Sequence, residues 1–327
     1  MSFKILNTIG ENFAPEAKKI LATLGAIDYK IPTQEKLAEI IGDYDVAVIG
    51  LGLNFHKDIL DAACLPAGRS KKLKVIATVT TGLDHIDLIA AKEKGIKVLS
   101  LRGENEFLDT IIGTAELAFG LLIDLVRFTP WAFEDVKNYR WRREDWKGAS
   151  LYGKTLGVVG LGRLGKMMAR FGKAFDMKVL FTDPNVSPKD FPDYEKTDLE
   201  NLLRRSDAVS LHIHLTKETE NLLAKKEFAL MKKGVVLINT ARGKIVNEKD
   251  LLAALKSGQL GGYGADVLAD ELFFETAGFK NHPLVEYAKQ HQNLIIVPHI
   301  GGMTIDSRIA TDLFMAEKLK KQLAKNS

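Results

Sequence analysis

From the first residues, short apolar runs alternate with segments whose apolar positions recur at helical spacing. FKIL, DVAVIGL, LKVIATV and IKVLSL are separated by APEAKKILATLG, TQEKLAEIIGD, HKDILDAAC and DHIDLIAAKEKG. Runs that are apolar at nearly every position, rather than at alternate ones, suit parallel strands covered by helices on both faces. Gly25, Gly42 and Gly95 read as helix-closing residues in the left-handed region. A longer helical pattern runs from Thr114 to Phe128 and is broken at Pro130. The stretch NYRWRREDWKGASLYGK has no period and reads as a connection. A second βα series begins at Lys154, with strands TLGVVG, KVLFTD, AVSLH, VVLINT, YGADV and LIIVP. From Thr304 a last helix is expected, with Ile305, Ile309, Leu313 and Ala316 on its apolar face.

The 327 residues suffice for two domains, since about 100–200 residues per domain is usual. A net charge of +4 and the lack of a dense basic stripe give no case for nucleic acid. Arg140, Arg142 and Arg143 among Trp141 and Trp146 are the nearest thing to such a stripe, and a surface or subunit contact suits them better. No run approaches the ~18 apolar residues of a membrane span, and the first residues do not read as a signal peptide. The single cysteine, Cys64, makes no disulfide within the chain and reads as a small buried hydrophobe. A cytoplasmic protein is the expectation.

The first chemistry-bearing motif is GVVGLGRLG, with G-x-G-x-x-G formed by Gly160, Gly162 and Gly165. A strand precedes it and an amphipathic helix, RLGKMMARFGKAF, follows it. This is the arrangement in which glycines allow a tight turn, an approach of backbone to a pyrophosphate and close packing of helix on strand. The helix start at Arg163 and Leu164 then offers backbone N–H groups and partial positive charge to phosphates. Asp183 ends the second strand of this series, about 20 residues on, where a carboxylate accepts hydrogen bonds from ribose hydroxyls and repels a 2′-phosphate. NAD is therefore the expected cofactor, in preference to NADP.

Three later stretches, LINTARGKIVNEKDLLAAL, GGYGADVLADE and VPHIGG, join TTGLDHIDL and LYGKTLGVVGLGRLG in a fixed order. Together they resemble the D-isomer-specific 2-hydroxyacid dehydrogenase family over nearly the whole chain. The resemblance implies a nucleotide-binding Rossmann domain, residues 113–298, inserted into a flavodoxin-like substrate domain, residues 1–112 and 299–327, and hence two doubly wound parallel sheets. It implies NAD as cofactor, a small 2-oxo or 2-hydroxy acid as substrate, and a homodimer formed through the nucleotide domain. By match of motif, Arg242 binds substrate, His299 is the acid–base histidine, Glu271 is its carboxylate partner, and Asp266 meets the nicotinamide carboxamide. The backbone at Thr81 and Gly82 matches the loop that meets the substrate carboxylate. His212, Thr240, Ala241 and Gly301 complete the expected cofactor contacts. His214 stands where the family usually has proline. After the third strand, GLGLNFHK contains none of the arginines of the phosphoglycerate members, and, with the sequence ending after its last helix, the C-terminal regulatory domain of some of them is expected to be absent.

These residue types suit the chemistry. An arginine fork holds carboxylate and carbonyl oxygens together. A histidine titrates near neutral pH and exchanges a proton with the carbonyl oxygen, and a carboxylate partner favours its charged form. An NAD-sensing regulatory protein of co-repressor type, on the same scaffold, is the alternative reading.

Overall fold

The computed structural model describes residues 2–64, 73–271, 274 and 278–325. These divide into two compact units, one built from Met1–Thr110 and Thr304–Ser327, the other from Ile111–Glu271 and Phe279–Met303. The boundaries lie at 110/111 and 303/304, whereas the sequence sets them at 112/113 and 298/299; His299 and Gly301 thus belong to the larger unit.

The smaller unit has five parallel strands, β1 (Phe3–Asn7), β2 (Gly25–Tyr29), β3 (Val46–Ile49), β4 (Val75–Thr78) and β5 (Lys97–Leu99), in the order β2-β1-β3-β4-β5. This is the flavodoxin-like order. Successive residues of one strand enter different cores: Ile5, Val46 and Val48 pack on one side, and Leu6, Ala47 and Ile49 on the other. Both faces are covered, which is why these strands read as unbroken apolar runs. Strand β2 lacks such a run because it is an edge strand of mostly half-buried residues. Gly25 does not close a helix but opens this strand, and a Cβ there would lie 1.9 Å from Phe3 O. Gly42 sits inside the short 3-10 turn Ile41–Asp43, and Gly95, with φ of 68°, is the one of the three glycines that follows a helix in the left-handed region.

The final helix, Ile305–Ala324, buries Ala316 of the four residues expected on its inward face but not the other three. Ile305, Ile309 and Leu313 are 79%, 42% and 37% exposed, while Ser307, Thr311, Asp312, Met315, Ala316, Leu319 and Leu323 are buried. Met315, Ala316, Leu319 and Leu323 enter the core, and Asp312 is buried beside them. Its Oδ2 accepts the backbone N–H of Ala14 (3.0 Å), the residue capping the helix Pro15–Ala22, and its Oδ1 lies 3.2 Å from Arg308 Nη2. Burial pushes the Asp312 carboxyl up to about 6, against the pull of Arg308 and the Ala14 N–H. The folded protein therefore holds the proton more tightly than the unfolded chain, and this group's contribution to stability falls as pH rises from about 4 through 6. Asp312→Asn keeps an acceptor for Ala14 and removes the charge. Its melting temperature relative to wild type should rise across that interval, as thermal unfolding at several pH values would show; a constant difference would contradict this account.

The larger unit has seven parallel strands: β6 (Thr155–Val159), β7 (Lys178–Thr182), β8 (Glu195–Lys196), β9 (Ala208–Leu211), β10 (Val235–Asn239), β11 (Leu260–Ala265) and β12 (Leu294–Ile296). Their order is β12-β11-β10-β9-β6-β7-β8, so strand order reverses between β6 and β9. That is the Rossmann switch point, where ligands bind beyond the carboxyl ends of the strands. The register aligns those ends. Val159 pairs with Thr182 and Leu211, Asn239 pairs with Leu211 and Ala265, and Ala265 pairs with Ile296.

The basic–aromatic stretch is an ordered shell around one buried carboxylate. Asp135, 4% exposed, accepts two N–H groups from Arg140, two from Arg142 and the indole N–H of Trp146. Asp135 lies on the helix Thr129–Lys137, whose first turn contains Pro130, the residue expected only to break the preceding helix. Among the described residues, no helix is long and apolar enough to cross a membrane.

Candidate active site

Because the strand ends are aligned, the residues that follow them emerge together. Gly160 follows β6, Asp183 follows β7, His212 follows β9, Thr240–Arg242 follow β10, Asp266 follows β11, and His299 comes three residues after β12. Every residue of this unit expected to meet cofactor or substrate falls in this row or on the turns leaving it.

The turn after β6 requires its glycines. Gly160 has φ of 88° and a Cβ on it would lie 2.6 Å from His212 O; a Cβ on Gly165 would lie 2.0 Å from Gly160 O. A Cβ on Gly162 would meet nothing within 4 Å. Gly162 caps the helix Arg163–Ala174, whose first turn holds Arg163, Leu164 and Gly165. The Arg163 guanidinium donates to Ile111 O, so what its position offers a ligand is helix-terminal backbone. Asp183 is fixed by two backbone donors, Leu161 N–H (2.9 Å) and Asn185 N–H (2.8 Å). His212 shares a hydrogen bond with Ser210 Oγ (2.8 Å), and burial pushes its imidazole down to about 4, so it is neutral at pH 7. His214 is exposed, and its carbonyl accepts from Thr219 Oγ1.

The two residues that the resemblance matches to an acid–base pair are in contact. His299 Nδ1 lies 2.7 Å from Glu271 Oε1, with 29% and 19% of the two side chains exposed. His299 holds a left-handed backbone, φ 52°, which is unfavourable for a residue with a Cβ and is kept only where neighbours enforce it. Here Asp266 enforces it. Its carbonyl accepts His299 N–H (2.9 Å), and its carboxylate accepts Ile300 N–H (2.6 Å) and Gly301 N–H (2.8 Å). Asp266 is 1% exposed; the resemblance implies a contact with nicotinamide, for which a second lone pair on each oxygen remains. Burial acts to lower the His299 pKa. The hydrogen bond and charge of Glu271, with the charge of Asp266, outweigh burial and the opposing charge of Arg242, and the imidazole pKa is raised.

Asn239, the last residue of β10, shapes the arginine's turn in a way the motif does not reveal. Its side chain accepts Ala241 N–H and donates to Arg242 O and to Tyr263 Oη. The adjacent Thr240 has a buried Oγ1 without a protein partner among the described residues. The asparagine in NTARG was the available signal. Thr81 and Gly82 belong to the smaller unit, on the loop after β4, where Thr80 Oγ1 donates to Gly82 O (2.7 Å) and hydrogen-bonds Thr78 Oγ1 (2.8 Å).

Comparison with known proteins adds the decisive observation. The model for "D-isomer specific 2-hydroxyacid dehydrogenase, NAD binding domain" matches residues 119–301. The chain belongs to the D-isomer specific 2-hydroxyacid dehydrogenase family. It is 36% identical over 313 residues to a D-3-phosphoglycerate dehydrogenase of Methanocaldococcus jannaschii, a match covering 94% of this chain and 55% of that protein. The chain thus spans about half the length of that relative. It is 34% identical to a hydroxypyruvate reductase of Thermotoga maritima, covering 89% of this chain and 88% of the relative. Among solved structures, a D-lactate dehydrogenase of Aquifex aeolicus, complexed with NAD and lactic acid, aligns with a TM-score of 0.82 at 28% identity, over 98% and 96% of the two chains.

The match identifies the larger unit as the NAD-binding domain of this dehydrogenase family. Its residues fit a dinucleotide on three observations made above: a glycine turn closed by backbone on one side and open at Gly162, a carboxylate anchored at the end of β7, and the unpartnered buried hydroxyl of Thr240.

Proposed function

We propose that this family member is an NAD-dependent D-2-hydroxyacid dehydrogenase acting on small, unphosphorylated 2-oxo acids, with Arg242, Glu271 and His299 as its catalytic set. NAD, when bound, supplies or accepts the hydride. Gly160, Gly162, Arg163, Leu164 and Gly165 hold its pyrophosphate with backbone, Asp183 its adenosine ribose, and His212, Thr240, Ala241, Asp266 and Gly301 line the remainder. Arg242 binds the substrate carboxylate and carbonyl oxygen, through charge-assisted bonds worth about 1.5–3 kcal/mol each. The observation that carries the reading is the 2.7 Å contact between His299 and Glu271. With Nδ1–H donated to the carboxylate, Nε2 is left to give a proton to the carbonyl oxygen in reduction and to recover it in oxidation.

A substrate phosphate would bring about two negative charges and need cations of its own, and the stretch GLGLNFHK directly after β3 offers His56 and Lys57 but no arginine. Purified protein with NADH should therefore reduce glyoxylate, hydroxypyruvate or pyruvate with higher kcat/KM than 3-phosphohydroxypyruvate. A clear lead for the phosphorylated acid would overturn the substrate class. Tight NADH binding without turnover on any 2-oxo acid would favour the regulatory alternative.

Asp183 sets the expected cofactor preference. NADH should exceed NADPH in kcat/KM by at least about tenfold, or ~1.4 kcal/mol. Asp183→Asn, which keeps an acceptor for a backbone N–H, should narrow that ratio, and equal wild-type turnover of the two cofactors would refute the assignment. The homodimer implied by the resemblance would find apolar surface in Phe133, Tyr139, Trp141 and Tyr152, which are 62%, 100%, 85% and 73% exposed. Sedimentation analysis tests it.

A further inference from the structure

A carboxylate and an imidazole outside the proposed catalytic set lie partly buried against the turn that carries Glu271. Glu248 opens the helix Glu248–Lys256, and its side chain is 21% exposed; that of His282, from just before the helix Pro283–Ala288, is 15% exposed. Glu248 Oε1 accepts the backbone N–H of Ala269 (2.8 Å), and Oε2 lies 3.4 Å from His282 Nε2. Burial raises the Glu248 pKa, against the Ala269 N–H and the charge of His282. Burying such a group is costly unless its contacts repay it.

The turn it meets needs holding. Its own backbone closure, Glu271 N–H to Leu268 O, is long at 3.5 Å, and Asp270 stands at φ 58°. Glu271 Oε2 accepts Leu268 N–H (3.2 Å) while Oε1 meets His299. The carboxylate of Glu271 is thus aimed by the turn's own backbone, and any shift of that backbone moves it relative to the imidazole. Among the described residues, the side chains of Lys244 and Glu248 restrain the turn's Asp270 and Ala269 from outside. Lys244 pairs with Asp270 at 2.7 Å, but these side chains are 42% and 59% exposed, and such pairs stabilise little. Glu248 makes its bond largely shielded from water, where a charge-assisted hydrogen bond is stronger than at the surface.

We propose that Glu248, backed by His282, is a positioning residue that fixes the turn Leu268–Glu271 and thereby sets the contact between Glu271 and His299. The proposal rests on the reading of His299 and Glu271 as the acid–base pair, and its effect on turnover runs through them. The charged groups acting on His299 are Glu271, Asp266 and Arg242, and those acting on Glu248 are His282 and Asp270. Displacing Glu271 removes the partner that favours imidazolium and leaves burial and Arg242 to lower the His299 pKa.

The test is an NMR titration of the imidazoles in the NAD-free protein, with the His299 signal assigned by its loss in His299→Ala. Glu248→Met keeps the volume and removes the acceptor; the His299 midpoint should fall, in the direction given by Glu271→Gln. Glu248→Gln keeps a carbonyl acceptor for Ala269 and should hold the midpoint near wild type. His282→Ala should shift it the same way as Glu248→Met, by less. In the NADH assay, kcat of Glu248→Met should drop about 10- to 100-fold, with the KM for NADH unchanged and the alkaline limb of the reduction profile moved to lower pH. An unmoved His299 midpoint in folded Glu248→Met overturns the proposal, as does a Glu248→Gln protein shifted as far as the methionine variant. If Glu248→Met does not fold, an unmoved midpoint in His282→Ala overturns it instead. The NMR result stands apart from the catalytic reading, which fails separately if His299→Ala retains turnover.

Discussion

His299→Ala is expected to lower kcat for reduction of a 2-oxo acid by about 100- to 10,000-fold, the usual contribution of a general acid–base group, with NADH affinity largely intact. The imidazole does not build the glycine turn or anchor Asp183, so NADH fluorescence titration should barely change. Wild-type pH dependence follows from the raised His299 pKa. With His299 as the proposed proton donor, reduction uses the imidazolium, so its rate should be flat at lower pH and fall as pH rises through that pKa, while oxidation, which needs neutral imidazole, should rise over the same interval. In Glu271→Gln the neutral amide no longer favours imidazolium, and the alkaline limb of reduction should move to lower pH. Near-normal turnover of His299→Ala across the pH range would falsify the assignment of the proton donor.

Gly243→Ala should damage the protein through backbone alone. A Cβ at Gly243 would lie 2.0 Å from Leu268 C, 2.2 Å from Ala269 N and 2.3 Å from Leu268 O. None of these atoms belongs to a side chain that could swing away. Overpacking ordinarily costs about 1–3 kcal/mol, and here relief requires the Arg242–Gly243 segment and the Leu268–Glu271 turn to separate. That separation acts on two of the three proposed catalytic side chains at once. A fall in kcat of about 100-fold is expected, since a displacement of about 1 Å suffices for that. Thermal unfolding should come earlier by roughly 2–4 °C per kcal/mol of destabilisation. A Gly243→Ala protein with wild-type kcat and melting temperature would show that the two segments are free to move apart.

Much of the fold was legible because both faces of both sheets are covered. Strands β3, β4, β9 and β10 are buried along their whole length and read as unbroken apolar runs. Strand β2 was not legible, since an edge position leaves it half-buried and without a run. The last helix misled for the opposite reason. Of the stripe that periodicity selects, Ile305, Ile309 and Leu313 are exposed and Ala316 is buried, and the inward face also holds Asp312, whose carboxylate meets Ala14, a residue 298 positions away. The Arg140–Trp146 stretch looked unstructured because what orders it is a single carboxylate, Asp135, on the preceding helix.

Local spacing by itself determined the nucleotide motif: a strand, three glycines, a helix and an acid at the next strand end form one contiguous unit whose geometry is fixed by backbone sterics. The order of the motifs determined the family, and with it the three residues proposed for catalysis. Only the tertiary structure decided how they act on one another. Glu271 and His299 are 28 residues apart, and their contact depends on β11 and β12 ending in register and on Asp266 holding His299 in a left-handed turn. The place of Glu248 was beyond the sequence for a further reason. Its partner is the N–H of Ala269, and a backbone donor is the same at every residue but proline, so nothing in the identity of residue 269 points back to the carboxylate that holds it.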